Sequence, residues 1–224
     1  MRPEASFLLL FLRACLVYII SMNKTTFLKL ATIFNNHGYR LYMVGGTTRD
    51  YLLDKDVLDY DFVTDATPDE MKTFLPEANY RFANFGTVRL KDEEIKVDIA
   101  TMRVEGEYKD YRHPSYVKYV KTIKQDYVRR DFTINAIYID EHFNIIDYVN
   151  GIDDLEHKII RFIGDPVKRI KEDPLRILRA ERFQKKLGFT IEEEAKKAMK
   201  KYHYLLDELN PQKVIEELHK LEDK

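Results

Sequence analysis

The order of apolar and polar positions divides the chain into a mixed first part and a helical second part. From Phe27 to Asn35 the apolar residues Phe27, Leu28, Leu30, Ile33 and Phe34 fall at helical spacing, and His37-Gly38 supplies the stop. Arg40 to Val44 is a short apolar strand running into Gly45-Gly46, after which the pattern predicts a helix from Thr47 to Leu53. Asp59 to Val63 reads as a second strand. Thr67, Pro68 and the acids Asp69 and Glu70 form a helix start, with Thr67 as cap and Pro68 at the first position. Thr87 to Leu90 and Ile95 to Ile99 flank an Asp-Glu-Glu turn and predict a hairpin. The polar, tyrosine-rich stretch from Val104 to Tyr116 reads as a loop. Helix and strand signals return over Asp131 to Ile139 and Asn144 to Tyr148, and after Asp153 every long pattern is helical. Strands early and helices late predict an α+β head over 22–150 and an all-helical segment over 151–224.

Residues 1–21 stand apart. Ser6 to Ser21 is strongly apolar but interrupted by Arg13, and it is shorter than the ~20 residues a spanning helix needs. Its large residues near the end fit a signal-cleavage site poorly, and Met22-Asn23-Lys24 looks like a cytosolic start. The expectation is an extension ahead of the natural start, or a peripheral helix, with no stable membrane partner.

Composition narrows the class. With 45% hydrophobic residues the 224-residue chain can bury a real core. Its 37 Lys+Arg against 38 Asp+Glu give a net charge of −1, which excludes a uniformly basic nucleic-acid coat but not a local basic groove. Two stretches are locally basic: ten Lys/Arg against four Asp/Glu from His157 to Phe189, and eight against four from Arg103 to Arg130. Such patches suit an RNA backbone. The single cysteine, Cys15, rules out an intrachain disulfide and a thiol-rich metal site, and points to a reducing, cytoplasmic setting.

Candidate chemistry begins at Asp59 and Asp61. Alternate strand residues share a face, so the two carboxylates can converge on one hard cation such as Mg²⁺, which keeps its other positions for water and phosphates. Asp98, on the following hairpin, is a candidate third carboxylate. Gly45-Gly46 precedes a helix start whose N–H groups suit a phosphate, and Arg49 one turn in can add a cation, or else simply pair with Asp50. Together these elements describe a site for a nucleoside triphosphate and its metal.

The runs LYMVGGTTRDYLL, DYDFVTDATPDE, RRDFTINAIYID and GDPVKRIKEDPLRILRAERF, in this order between Tyr39 and Phe189, closely resemble the class II tRNA nucleotidyltransferases. These CCA-adding enzymes share a polymerase-beta-like nucleotidyltransferase head, a small mixed sheet with helices, with bacterial poly(A) polymerases. The resemblance implies that Gly45, Gly46 and Arg49 hold the triphosphate. Asp59 and Asp61 would bind Mg²⁺, with Asp98 joining them as a catalytic carboxylate. Arg130 would contact the nucleotide sugar and phosphates, and Asp131 and Asn135 would support ribose recognition. In Glu172-Asp173-x-x-Arg176, read as opening a helix, Asp173 and Arg176 would face the same way and read the Watson–Crick edge of the base. Arg179 and Arg182 follow at intervals of three on the same helix.

The implied activity is template-independent addition of C and A from CTP and ATP to the 3′ end of tRNA, by two-metal attack of the 3′-hydroxyl on the α-phosphate. The stretch from Glu105 to Arg112 matches a loop that helps switch specificity from C to A, and it looks intact. Pro211 to Leu218 resembles the neck, after which typical members continue into a helical body and tail that grip the tRNA. Alternatives are a poly(A) polymerase or an A-adding specialist and, from another class, a non-catalytic RNA-binding remnant.

Overall fold

A computed structural model describes residues 25–57, 59–91, 96–108, 110–111 and 114–222. The apolar extension at 1–21 and the turn at 92–94 lie outside the described residues, as do Lys109 and Arg112 of the tyrosine-rich stretch.

The mixed part starts with helix α1 (25–36), strand β1 (Leu41–Met43), helix α2 (Gly45–Leu52), strand β2 (Asp59–Thr64) and helix α3 (Pro68–Phe74). Strands β3 (Thr87–Lys91) and β4 (Lys96–Thr101) form the expected hairpin, followed by β5 (Arg103–Glu105), β6 (Val117–Tyr119) and the short helix α4 (Ile123–Asp126). Strands β7 (Ile137–Ile139) and β8 (Ile145–Asp147) complete a six-stranded sheet of order β3-β4-β2-β1-β7-β8. In that sheet β2 and β4 run parallel and every other pair is antiparallel. The stretch read as a loop is bounded by a small hairpin of its own, β5 pairing with β6.

The helical part contains α5 (Gly151–Glu156), α6 (Pro166–Glu172), α7 (Leu175–Leu187), α8 (Glu193–Tyr202) and α9 (Pro211–Glu222). One short parallel pair, β9 (Ile159–Ile160) with β10 (Thr190–Ile191), is inserted among these helices. The fold is therefore α+β, a mixed-sheet head followed by helices. Among the described residues no helix is long and apolar enough to cross a membrane.

Period-two alternation decides which sheet face does what. Leu41 and Met43 of β1, Tyr60 and Phe62 of β2, and Val97 and Ile99 of β4 are buried in one core together with Phe27, Phe34 and Met71 from α1 and α3. The opposite face buries Tyr42, Val63 and Tyr138 farther along the strands, leaving Asp59 and Asp61 solvent-accessible. A third core joins Phe132, Ile134 and Ile137 to Ile170, Ile177, Phe183 and Met199, so it spans both sides of the boundary expected at residue 150.

Helix α3 shows why local sequence sufficed at its start. The Thr67 hydroxyl accepts the Glu70 N–H at 3.3 Å, and the Glu70 carboxylate accepts the Thr67 N–H at 2.7 Å, closing a capping box behind Pro68. Thr67→Ala should lower unfolding stability by about 1 kcal/mol in urea titration; no change would mean the box adds nothing here.

Candidate active site

Helix α2 begins two residues earlier than its spacing predicts, at Gly45, which has φ of 67°. That left-handed backbone is strained for any residue with a Cβ, and a Cβ there would come within 3.3 Å of the Asp61 carboxylate. The glycines thus bring the start of α2 directly onto β2. The Gly46 N–H lies close enough to the Asp61 carboxylate to help hold its charge.

Asp59 and Asp61 share one strand face, with buried Tyr60 between them pointing the other way. Asp61 is reached by solvent, yet it sits in a concavity and protein surrounds it on most sides. That crowding pushes its carboxyl pKa up, and Asp98 adds to the rise, while Arg130, Lys96 and the Gly46 N–H work against it.

Asp98 lies opposite Asp61 in the parallel β2/β4 register. It is not an open third carboxylate in this arrangement. Arg89, its antiparallel partner on β3, donates Nε to Oδ1 at 2.6 Å and Nη2 to Oδ2 at 3.0 Å, a bidentate pair. Among the described residues no group of three or more acidic, His or Cys side chains could hold a metal ion. Two carboxylates suffice for Mg²⁺ when substrate phosphates and water complete its shell, and Asp61, penalised as an isolated anion, is a group a cation would relieve. The donor set therefore fits Mg²⁺ at Asp59 and Asp61.

Arg49 and Arg179 are joined by one hydrogen-bonded chain, and Arg130 is held by a separate group. Arg49, 3% exposed, pairs with Asp50 at 2.7 Å, donates Nη1 to Asn135 Oδ1 at 2.9 Å and lies over the Phe183 ring. Asn135 in turn donates to Asp131 at 3.2 Å, and Asp131 receives Nε and Nη2 of Arg179 on α7. Burial alone would raise the Asp131 carboxyl, but Arg179 holds it well below the usual carboxylate range. Asp131 and Asn135 thus brace two arginines. Arg130 donates to Asp126 at 3.0 Å and to the Tyr138 hydroxyl at 2.8 Å; those two partners keep its pKa raised against the effect of burial.

The Glu172-Asp173-x-x-Arg176 segment does not open a helix. Glu172 closes α6, Asp173 is extended (φ −147°, ψ 97°), and Pro174 precedes α7. Proline disfavours helical backbone in the residue before it, so Asp173 and Arg176 lie on the two sides of a junction and not along one helix face. Asp173 accepts the Leu175 N–H at 3.2 Å, while Arg176 donates to Glu172 at 2.9 Å and to the Arg169 carbonyl at 2.8 Å. Arg182 pairs with Glu217 of α9 at 2.7 Å.

All candidate residues line one cavity of about 1030 Å³, at the upper end of the ~300–1,000 Å³ usual for small-molecule sites. The triphosphate and metal candidates form one wall; Asp173, Arg176, Arg179 and Arg182 form another. Sequence reasoning does not single out Phe183 or Glu217, which also line it, and it places Glu105 and Tyr108 only within the stretch implied to switch specificity. The Tyr108 ring lies under the Arg176 guanidinium at 6.0 Å and its hydroxyl donates to Glu105. Nothing local marks Phe183 or Glu217 as cavity residues; only the folded chain brings them there.

Comparison with known proteins identifies the family of the chain. The family described as the poly(A) polymerase head domain matches residues 41–161. A CCA-adding enzyme of Staphylococcus haemolyticus is 43% identical over 185 residues, covering 83% of this chain and 46% of that protein. One from Anoxybacillus flavithermus is 39% identical over 194 residues, covering 87% and 49%. Among solved structures, the Bacillus stearothermophilus CCA-adding enzyme in complex with CTP superposes with a TM-score of 0.79 at 32% identity, over 87% of this chain and 47% of that one. A tRNA nucleotidyltransferase complexed with a primer tRNA and an incoming ATP analog gives a TM-score of 0.68 at 35% identity, over 84% and 54%. The chain spans about half the length of the curated relatives it matches.

Proposed function

Because this chain belongs to the family of the poly(A) polymerase head domain, we propose that it is the nucleotide-adding part of a template-independent tRNA nucleotidyltransferase. It transfers C and A residues from CTP and ATP to the 3′ end of tRNA and releases pyrophosphate. The observation that carries this reading is the single cavity in which Asp59, Asp61 and the glycine start of α2 share the lining with Asp173 and Arg176. In this reading residues 22–150 carry catalysis, 151–224 carry base selection, and the reaction takes place in the cytoplasm.

The chain's own groups act chiefly by position and charge. Asp59 and Asp61 would hold Mg²⁺, which when bound lowers the pKa of the attacking 3′-hydroxyl and neutralises phosphate charge. Arg49, fixed by Asp50 and Asn135, presents a pre-oriented cation to the triphosphate. Arg130, fixed by Asp126 and Tyr138, does the same beside the sugar and phosphates. The Asp173 carboxylate accepts from the exocyclic amine that cytosine and adenine share, and the Arg176 guanidinium donates to ring or carbonyl acceptors.

The test uses purified protein, Mg²⁺, labelled CTP or ATP, and tRNA ending before C, after C or after CC. Two C and then one A, ending there, is the expected product. A added only after CC would make the chain an A-adding specialist. Long A tails from ATP alone would make it a poly(A) polymerase. Nucleotide binding without any incorporation would reduce it to a binding module.

A further inference from the structure

We propose that Thr47, through its hydroxyl, is the positioning residue that fixes the Asp59–Asp61 pair for cation binding; this rests on the reading of those carboxylates as the Mg²⁺ ligands. The argument starts from the edge of β2. On the side facing β1 and α2, the ladder runs Leu41 to Thr64, Tyr42 to Val63 and Met43 to Phe62, and its last bond is the Val44 N–H to the Asp61 carbonyl at 3.1 Å. There β1 ends, and the chain turns into α2 at Gly45. The next β2 groups on that side, the Asp61 N–H and the Asp59 carbonyl, have no strand opposite them. Thr47 takes both. Its Oγ1 accepts the Asp61 N–H at 2.6 Å and donates to the Asp59 carbonyl at 3.2 Å.

One side chain therefore replaces the missing strand at the two residues that carry the carboxylates. Pinning the peptide groups on both sides of Tyr60 sets the direction in which both Asp side chains leave the backbone. Thr47 is 1% exposed, so water cannot take over the two bonds if the hydroxyl is removed. Nothing in the geometry gives Thr47 contact with substrate. It acts through the strand, and groups that orient metal ligands in this way typically change metal affinity by ~10–100-fold when removed.

The experiment titrates Mn²⁺ alone into the full chain, following the free ion by electron paramagnetic resonance. Wild type is compared with Thr47→Val, Thr47→Ala, Thr47→Ser and Asp61→Asn, each checked by circular dichroism and thermal melting. Valine is nearly isosteric and lacks the hydroxyl; alanine serves if the valine variant does not fold. The expected result is Mn²⁺ affinity weakened ~10-fold or more in the folded Thr47→Val or Thr47→Ala protein, with Thr47→Ser within ~3-fold of wild type. The divalent-ion concentration for half-maximal incorporation should rise in the same order. Wild-type affinity in Thr47→Val or Thr47→Ala would overturn the proposal, as would equal loss in Thr47→Ser, which would assign the effect to the methyl group. Absence of Mn²⁺ binding that Asp61→Asn removes would instead overturn the carboxylate-pair reading, and this proposal with it.

Discussion

Asp61→Asn is expected to lower nucleotide incorporation by about 10³-fold while leaving the protein at least as stable as wild type. Charge stabilisation at a metal-held phosphoryl group is worth several kcal/mol, and ~4 kcal/mol corresponds to about 10³ in rate. The expectation for stability follows from the raised Asp61 pKa. An acid whose folded pKa lies above its unfolded value favours the folded state in acid, and that contribution is lost as pH rises through the folded pKa. At neutral pH the ionised carboxylate works against folding in the absence of a cation, and asparagine keeps its shape without its charge. Single-turnover incorporation and thermal melting on the same preparation separate the two effects. Near-normal incorporation would remove Asp61 from the site, whereas a melting temperature falling with activity would make its role structural.

Asp126→Asn should show the opposite profile, with stability lost first. This carboxylate is fully buried and accepts the Arg103 N–H at 3.1 Å, Arg129 Nε at 2.8 Å, Arg130 Nη2 at 3.0 Å and the Tyr138 hydroxyl at 2.8 Å. Burial alone would raise its pKa, but Arg130 and Arg129 hold it well below the usual carboxylate range. Removing the charge leaves Arg130 with the neutral Tyr138 hydroxyl and Arg129 with the more distant Glu105 carboxylate, at a cost of about 3–5 kcal/mol. Because the folded pKa is depressed, the stabilisation is full above the unfolded value near ~3.9 and is lost as pH falls through the folded pKa. Urea unfolding at several pH values should therefore show a wide gap between wild type and variant at pH 7 that narrows in strong acid. A gap of constant size would mean that shape, not charge, makes Asp126 necessary.

How much of this was readable in the residues differs with the range of each interaction. Asp59 and Asp61 were legible because strand alternation is a local rule, and it alone puts them on one face around Tyr60. The capping box at Thr67 and Glu70 was legible for the same reason. Asp98 was legible as a neighbour of the pair, but not as the partner of Arg89, which depends on the hairpin register. The tyrosine-rich stretch reads as a loop because the two strands that bound it are three residues each, too short to show a period. The three-residue spacing of Asp173 and Arg176 suggests one helix, although Pro174 argues for a break. Least legible were Asp131 and Asn135, whose partners Arg179 and Arg49 lie far away in the chain. Composition cannot say which arginine meets which carboxylate.

The core that joins Phe132, Ile134 and Ile137 to helices α6, α7 and α8 bears on how the site is made during synthesis. The sheet carrying Asp59 and Asp61 can leave the ribosome and pair its strands while those three side chains still lack their cover. Their neighbours Ile177, Phe183 and Met199 emerge seconds later, at ~5–20 residues per second. Until then the Arg49–Asn135–Asp131 chain lacks Arg179 to close it. The nascent chain thus completes the carboxylate side of the cavity before the side carrying Asp173, Arg176 and Arg179.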